Sequence, residues 1–271
     1  MKKIVFLKLG GSVITNKDRA DTADLDHIDS ISKAIRRALS EDPDLALVIG
    51  HGSGSFGHHA AKIYNTQNGV HNSQEWQGFT QVSRRARALN QIVIERLQHA
   101  KLEVISISPL SSIITKNRTI IKWNIFPIRE SLKKGIIPVI YGDVVFDQEI
   151  GGTILSTEEL FENLALKLHP QSILLAGLEA GVWKDFPLKN EFVSTITPEN
   201  YTQFEKEIYS STSTDVTGGM RSKVKHMISL INHQPELEIQ IFSALKPENV
   251  YLTLMGQEMG TMITSSERKR R

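Results

Sequence analysis

The stretch Lys8-Leu9-Gly10-Gly11-Ser12 follows directly on the apolar run Ile4-Val5-Phe6-Leu7. The run has the length and composition of a buried β-strand, and the paired glycines end it. Because glycine has no side chain, backbone N–H groups at such a strand end can approach an anion closely. The lysine adds a positive charge at the same place. The stretch predicts a strand that carries a phosphate-binding turn, although a plain Gly-Gly turn gives the same pattern.

Composition narrows the class of protein. The chain has 271 residues, of which 40% are hydrophobic and 23% are charged, as is typical of a globular protein. Its formal net charge of +2 is too small to indicate nucleic-acid binding, and the absence of cysteine excludes disulfides and thiolate metal sites. No run approaches the roughly 20 apolar residues of a membrane span, and the N-terminus lacks the pattern of a signal peptide. We therefore expect a cytoplasmic protein with no membrane or nucleic-acid partner.

Apolar strands alternate with helical patterns along the chain, which is typical of an α/β protein with a largely parallel sheet. The predicted strands cover residues 3–9, 45–49, 104–107, 119–121, 136–141, 172–176, 238–242 and 260–264. The predicted helices cover residues 24–39, 75–100, 126–133, 156–168, 198–206, 220–232 and 247–251. Four strands end in Gly or Gly-Asp. Since ligands bind beyond the carboxyl ends of parallel strands, we expect these glycines to meet at one edge.

A second glycine-rich stretch runs from Gly50 to His59. Its four glycines between a strand and a helix favour an anion cradle. The string G-x-G-x-x-G also occurs there, but no acidic residue follows about 20 positions later, which disfavours a dinucleotide site. No G-x-x-x-x-G-K-[ST] occurs, which excludes a P-loop. His58 follows the last glycine, where its ring could donate to a phosphate or simply cap the turn.

A third stretch, Asp215-Val216-Thr217-Gly218-Gly219-Met220-Arg221-Ser222-Lys223, opens a predicted helix with a Thr-Gly-Gly turn. Backbone N–H groups at a helix start bind anions, and Lys223 lies in the first turns of the same helix. The pattern predicts another phosphate contact. A simple helix cap followed by a solvated lysine would give the same sequence.

Taken in this order, the three stretches resemble the amino-acid kinase superfamily and, within it, the isopentenyl phosphate kinase family. The resemblance covers nearly the whole chain and is carried by Lys8-Leu9-Gly10-Gly11-Ser12, Lys17, Gly54-Ser55-Phe56-Gly57-His58, Gly142-Asp143, Ser156-Thr157-Glu158, Thr217-Gly218-Gly219-Met220 and Lys223. It implies a three-layer αβα sandwich around a largely parallel sheet, and a homodimer. Residues 1–155 would hold the phosphate acceptor and residues 156–271 would hold ATP.

The resemblance implies ATP-dependent phosphorylation of isopentenyl phosphate to isopentenyl diphosphate, with release of ADP and with Mg²⁺ bridging the ATP phosphates, in isoprenoid precursor synthesis. A phosphate acceptor is already anionic at neutral pH, so it needs positive charge around it rather than a general base. Two alternatives stay open. One is a kinase of another small phosphate or phosphonate such as fosfomycin, and the other is a non-catalytic nucleotide-binding regulator on the same fold.

The resemblance also assigns roles to single residues, with no side-chain metal ligand among them. The expected catalytic residues are Lys8, Lys17, His58, Glu158 and Lys223, with Glu158 orienting the two lysines Lys8 and Lys223. Nucleotide contacts are expected from Lys8, Gly10, Gly11, Ser12, Lys17, Gly177, Asp185, Gly218, Gly219 and Lys223, the amides of Gly10 and Gly11 holding phosphate oxygens. Acceptor contacts are expected from Gly54, Ser55, Gly57, His58, Gly142, Asp143 and Gly152.

The chain departs from the family pattern at two places. Glu158 stands where relatives commonly have aspartate, and the nucleotide-side motif D-x-D-G-V reads Leu178-Glu179-Ala180-Gly181-Val182. An apolar acceptor tail would need an apolar pocket. The candidates for it are Trp76, Phe79, Val82, Ile150 and Ile154, although apolar residues at helical spacing are also typical of a core.

Overall fold

The computed structural model describes residues 3–16, 18–57, 66–185, 188–208 and 219–266. The strands among them, numbered in chain order, are β1 (Lys3–Leu9), β2 (Leu45–His51), β3 (Val104–Ser106), β4 (Ile113–Lys116), β5 (Thr119–Trp123), β6 (Ile137–Tyr141), β7 (Asp143–Asp147), β8 (Gly151–Leu155), β9 (Ser172–Gly177), β10 (Val182–Trp183), β11 (Phe192–Val193), β12 (Thr195–Ile196), β13 (Glu238–Ser243) and β14 (Thr261–Ile263).

The helices in the same residues are α1 (Gly11–Ile14), α2 (Leu25–Glu41), α3 (Ser73–His99), α4 (Pro109–Ser112), α5 (Phe126–Lys133), α6 (Thr157–Leu168), α7 (Tyr201–Ile208), α8 (Gly219–His233) and α9 (Pro247–Leu254). Residues 54–57 are also helical, and Thr66–Asn68 form a 3₁₀ turn. None of the helices in the described ranges is both long enough and apolar enough to span a bilayer.

Strand β1 lies in the middle of an eight-stranded sheet of order β12-β14-β13-β9-β1-β2-β6-β3. Its neighbours β2 and β9 are both parallel to it, and β13–β14 is the antiparallel pair of the sheet. A central parallel strand is covered on both faces, which explains why β1 and β2 read as continuous apolar runs rather than as alternating ones. The predicted, largely parallel sheet is confirmed.

Helices cover both faces of this sheet and complete the predicted three-layer αβα sandwich. On one face α2, α3 and α9 pack against Val5, Leu7 and Leu9 of β1. On the other face α5, α6 and α8 pack around Phe6, whose ring lies 5.0 Å from that of Phe161. Because successive side chains of a strand point to opposite faces, Lys8 shares the face of Phe6 and is directed towards α6.

A second sheet, of order β5-β4-β7-β8, was only partly predicted. The predicted arm at residues 119–121 belongs to the hairpin β4–β5, but β7 and β8 were missed. Gly142 alone separates β6 from β7, so Asp143 begins a new strand rather than lying in a loop beyond a strand end. The chain passes from the large sheet to the small one at this glycine.

The helix predicted at residues 198–206 begins later than expected, at Tyr201. Thr197 and Asn200 hold the preceding turn: the Thr197 N–H donates to Asn200 Oδ1 at 2.8 Å, and the Asn200 N–H donates to Thr197 Oγ1 at 3.3 Å. This reciprocal pattern is like that of a capping box, and the Tyr201 N–H donates to the Thr197 carbonyl at 2.9 Å, so Pro198 lies in the turn that leads into α7.

Candidate active site

Three glycine-containing segments meet at the carboxyl ends of β1, β2 and β9. The Gly10 N–H donates to the Ala176 carbonyl at 2.8 Å, and the Gly52 N–H donates to the Leu9 carbonyl at 3.0 Å. A Cβ atom placed on Gly11 would overlap the backbone of Gly54, so this close approach requires glycine. The predicted convergence of strand ends is confirmed for these segments.

Thr15 links the first two segments. Its buried hydroxyl donates to the Gly11 carbonyl at 2.8 Å and accepts from the Ser55 N–H at 3.0 Å. Gly54 has a φ of +48°, and a side chain there would also collide with Thr15. The start of the predicted acceptor loop is therefore held to the turn after β1 by the Thr15 hydroxyl.

One predicted amide contact is not available in this structure. The Gly10 N–H is already bonded to the Ala176 carbonyl, because the backbone of Gly10 continues the pairing of β1 with β9. The N–H groups of Gly11 and Ser12 lie in the first turn of α1, where no intrahelical acceptor exists for them. Gly10 therefore packs closely against the backbone of Ala176 and Gly177. The N–H groups of Gly11 and Ser12 are the ones that could bind an anion.

Lys8 and Glu158 form a buried ion pair at the same edge. Each side chain is 7% exposed, and Lys8 Nζ donates to Glu158 Oε1. Burial raises the pKa of Glu158, but the charges of Lys8 and Lys223 outweigh this and hold the pKa below its ordinary value. Two cations thus act on one carboxylate. The Lys8–Glu158 pair is neutral as a unit, so the excess positive charge beside the glycine segments comes from Lys223.

Glu158 owes its place to the start of α6. Ser156 and Glu159 form a capping box, in which the Glu159 N–H donates to Ser156 Oγ at 3.2 Å and the Ser156 N–H to Glu159 Oε2 at 2.7 Å. The Thr157 hydroxyl donates to the His51 carbonyl at 2.6 Å. Because Gly50 has no side chain, Thr157 and Phe161 can pack directly on β2. These contacts direct Glu158 towards Lys8.

Lys223 comes to the site on α8, which packs against α6. Three residues further along α8, His226 Nδ1 lies 2.6 Å from Glu162 Oε2. This hydrogen bond, partly opposed by burial, raises the pKa of His226. The contact ties the second turn of α8 to α6 and so holds Lys223 close to Glu158.

Apolar residues that were proposed for an acceptor tail do come together. Phe79 and Val82 of α3 are buried with Val70 and Val144 in a cluster apart from the two main cores, and Trp76 and Ile154 pack against it. The Phe79 ring lies 5.1 Å from the Trp76 ring and 5.3 Å from the Phe146 ring. A Cβ on Gly152 would lie 2.6 Å from the Phe79 ring, so Gly152 packs on this cluster.

Asp143 lies between this cluster and β6, with its side chain on the α3 side. The residue is 1% exposed, and its Oδ1 accepts the Val144 N–H at 2.8 Å. Burial raises the pKa of Asp143 to about 7, while the Val144 N–H, Ser83 and Arg87 oppose this effect. The carboxyl therefore titrates near neutral pH, and its predicted contact with the acceptor stays a prediction.

We expect Asp143→Asn to stabilise the protein at pH 8 but not at pH 4. Since folding raises the pKa of this acid above its ordinary value, its ionisation destabilises the fold as the pH rises from about 4 to about 7. The difference between about 7 and the ordinary 3.8 corresponds to at most about 4 kcal/mol. Urea unfolding of the wild type and of Asp143→Asn at pH 4, 6 and 8 measures the difference in their free energies of unfolding. A gain that is equal at all three pH values would contradict the assignment.

The expected nucleotide residues are only partly brought together. Gly177 ends β9 beside Gly10, whereas Asp185 lies in the exposed loop of the hairpin β10–β11 and accepts the N–H groups of Asn190 and Glu191. Glu179 accepts from Trp183 Nε1 and from Lys189 Nζ, both at 2.8 Å. Asp185 therefore caps its own loop, and its contact with nucleotide stays a prediction.

Lys17, His58 and Gly218 lie outside the described residues, so their predicted roles also stay predictions. Within the described ranges, no group of three or more His, Asp or Glu side chains could hold a metal ion. His51 is a polar residue near the site that the sequence analysis missed. The sequence feature that could have indicated His51 is a histidine at the end of the otherwise apolar strand β2.

Comparison with known proteins places the chain in a family. Residues 3–243 match the profile of the Amino acid kinase family. The chain is 31% identical over 271 residues to the isopentenyl phosphate kinase of Methanocaldococcus jannaschii, covering 97% of this chain and 100% of the relative. It is also 31% identical over 269 residues to that of Methanothermobacter thermautotrophicus, covering 96% and 99% of the two chains.

A solved structure agrees with these relatives. The crystal structure of an isopentenyl phosphate kinase superposes with a TM-score of 0.81 at 30% identity, covering 96% of this chain and all of that chain. The glycine segments, Lys8 and Lys223 lie within the matched range. The chain therefore belongs to the amino acid kinase family and, within it, to the isopentenyl phosphate kinases.

Proposed function

We propose that this protein transfers the γ-phosphoryl group of ATP to the phosphate of isopentenyl phosphate, giving isopentenyl diphosphate and ADP. The observation that carries the proposal is the buried Lys8–Glu158 pair, with Lys223 beside it, where three glycine segments meet. Two anionic substrates repel each other, so a site that joins them needs fixed positive charge and free N–H groups. A silent regulator would bear the desolvation cost of these buried charges without using them.

In this proposal an acceptor phosphate oxygen attacks the γ-phosphorus, and the bond to the β–γ bridging oxygen breaks, leaving its electron pair on ADP. Lys8 contacts the transferring phosphoryl group, and the N–H groups of Gly11 and Ser12 bind its oxygens. Lys223 neutralises the charge that develops on ADP, and Glu158 keeps both lysines in place. No proton has to be removed from the acceptor at neutral pH, because its second pKa is about 6.

The two substrates would occupy different halves of the chain. We assign the acceptor to residues 1–155, where Gly54, Gly57 and His58 would hold its phosphate. Ser55, also expected there, already donates its N–H to Thr15 Oγ1. We assign ATP to residues 156–271 together with the turn after β1, with Lys17 closing on the β- and γ-phosphates. Mg²⁺ would enter with ATP, held by phosphate oxygens and water, which suits a cation that keeps much of its hydration shell. A homodimer and a cytoplasmic location are part of the same proposal.

An acceptor panel tests the substrate. ADP release is measured with isopentenyl phosphate, dimethylallyl phosphate, fosfomycin and glutamate at equal concentrations. We expect isopentenyl phosphate to give the highest kcat/KM and glutamate to give none above background. A higher kcat/KM for fosfomycin would replace the proposed acceptor, and no turnover with any of the four would contradict the proposal of a kinase with a small phosphate or phosphonate acceptor.

We expect His58→Ala to raise the KM for isopentenyl phosphate or lower kcat by about 10- to 100-fold, the value of one charge-assisted hydrogen bond. The KM for ATP should change less than about twofold, because the histidine would touch only the acceptor. His71→Ala, at an exposed histidine beyond the same loop, is the matched control. An equal loss of ATP affinity in His58→Ala would show that the residue does not belong to the acceptor site.

The aromatic cluster should determine the fit of the acceptor tail. We expect Phe79→Ala to raise the KM for isopentenyl phosphate about tenfold, since the tail loses apolar contact area, while the KM for ATP is retained. Phe126→Ala, at a phenylalanine that is 68% exposed, controls for removal of an aromatic ring. If Phe79→Ala lowers stability but leaves the acceptor KM unchanged, the cluster is a satellite core rather than the wall of a pocket.

A further inference from the structure

His51, the last residue of β2, is buried directly beneath the glycine segments. It is 1% exposed, and its ring stacks on Tyr141 with centroids 5.5 Å apart and planes 8° apart. Nδ1 lies 3.0 Å from the Gly52 carbonyl oxygen, and Nε2 lies 3.2 Å from the side-chain amide of Asn90 on α3. Both ring nitrogens are therefore engaged, and stacking fixes the plane of the ring.

The partners of the ring determine which nitrogen carries the proton. A carbonyl oxygen can only accept, so Nδ1 must be the donor to Gly52. Burial, and to a smaller extent the charge of Lys8, lowers the pKa of His51, although its two hydrogen bonds oppose this. The neutral ring is thus favoured, and a neutral ring has a single N–H. We assign that N–H to Nδ1.

Nε2 of this tautomer carries a lone pair and needs a donor. In the structure Asn90 Oδ1 faces Nε2, and Asn90 Nδ2 donates to the Ser106 hydroxyl at 2.7 Å. The oxygen and nitrogen of a side-chain amide are assigned from their partners, and the reverse orientation supplies the donor that Nε2 needs: the NH₂ group then faces Nε2 and the oxygen accepts the Ser106 hydroxyl. The chain of donors then runs from Ser106 through Asn90 and His51 to the Gly52 carbonyl. In this orientation the His51 ring and the Asn90 amide are both satisfied, as their burial demands.

The hydrogen bond from His51 Nδ1, the last in this series, sets the orientation of the Gly52–Ser53 peptide group. The Gly52 N–H is held by the Leu9 carbonyl at 3.0 Å, and the Gly52 carbonyl is held by His51. In a trans peptide the carbonyl and the following N–H point in opposite directions. Since the Gly52 carbonyl faces the His51 ring, which lies on the α3 side, the following Ser53 N–H is directed away from that ring.

We propose that His51 is a positioning residue for phosphoryl transfer, whose Nδ1–H holds the Gly52 carbonyl and thereby aims the Ser53 N–H at the acceptor phosphate. This inference rests on the proposed function, because it concerns the acceptor phosphate of the same site. His51 itself would touch neither substrate. Its effect would reach the acceptor through a single peptide group.

Two isosteric variants separate this role from simple packing. The amide nitrogen of asparagine can take the place of Nδ1, whereas that of glutamine takes the place of Nε2. We expect His51→Gln to raise the KM for isopentenyl phosphate by about 10- to 100-fold, as for the loss of one hydrogen bond to a charged group. His51→Asn should stay within about threefold of the wild type. Equal effects of the two variants, or a parallel rise in the KM for ATP, would overturn the proposal.

Nuclear magnetic resonance of the ¹⁵N-labelled full chain provides a test that does not depend on activity. The imidazole spectrum should show His51 as the neutral Nδ1–H tautomer at about pH 7.5. The Ser53 amide signal should shift on addition of isopentenyl phosphate or of inorganic phosphate. A protonated ring, an Nε2–H tautomer or an unmoved Ser53 amide would each refute the inference. If the Ser53 amide responds to inorganic phosphate but isopentenyl phosphate is not turned over, the proposed function fails while the positioning role stands.

Discussion

Lys8→Met is expected to lower kcat for isopentenyl phosphate by about 10³-fold, the largest effect among the variants considered. Lys8 is the buried cation at the meeting point of the three glycine segments, and methionine keeps its length without its charge. The loss should fall on kcat more than on either KM, because charge on the transferring phosphoryl group is what the ammonium would stabilise. Single-turnover measurements with saturating ATP and acceptor detect it directly.

The same substitution should also destabilise the protein, since it leaves Glu158 buried without the partner that it contacts. Removal of one member of a buried pair costs about 3–5 kcal/mol. The double variant Lys8→Met/Glu158→Gln should recover most of that stability and none of the turnover. This control separates the two effects. If the double variant regained activity, Lys8 would be needed only to balance Glu158.

The sequence was sufficient to predict the parts of the fold that follow from local pattern. Residues 4–7 and 45–49 are continuous apolar runs, which are typical of a strand buried on both faces, and both lie in the central sheet. Glycine after such a run indicates a turn whatever the tertiary structure. Because parallel strands end at one edge, the meeting of Gly10, Gly52 and Gly177 followed from the class of fold.

Features that depend on non-local contacts could not be read in this way. The Gly10 N–H was expected to bind phosphate, but β9 takes it up, and the pairing of β1 with β9 joins residues far apart in the sequence. The small sheet was missed because β7 follows β6 after a single glycine, so no loop marks the boundary. His51 was missed because its partners Asn90 and Tyr141 come from two other elements.

Variants of Glu158, the carboxylate that Lys8 contacts, should have the second-largest effect. We expect Glu158→Asp to lower kcat about 10- to 100-fold, because the shorter side chain draws Lys8 away from the glycine turn, and misplacement by about 1 Å can cost about 10²-fold. Glu158→Gln should lower it further, since two cations then face each other without a counter-charge. A Glu158→Asp variant with full activity would show that the site does not depend on the length of this carboxylate.

The pH dependence of Glu158→Gln provides the sharper measurement. Lys8 is then buried without its carboxylate, so its neutral amine is favoured, and the variant should lose kcat at a lower alkaline pH than the wild type does.

The effect of the same substitution on stability should change at acid pH instead. Burial raises the pKa of Glu158, but the larger opposite effect of Lys8 and Lys223 leaves the folded pKa below its ordinary value. The carboxylate therefore stabilises the fold above its unfolded pKa of about 4.3. This contribution is lost as the pH falls through the folded pKa. The stability difference between wild type and variant should therefore be full at pH 7 and shrink below about pH 4. A difference that stays constant down to pH 3 would mean that the lost charge is not what the fold uses, and that the ion pair does not organise this site.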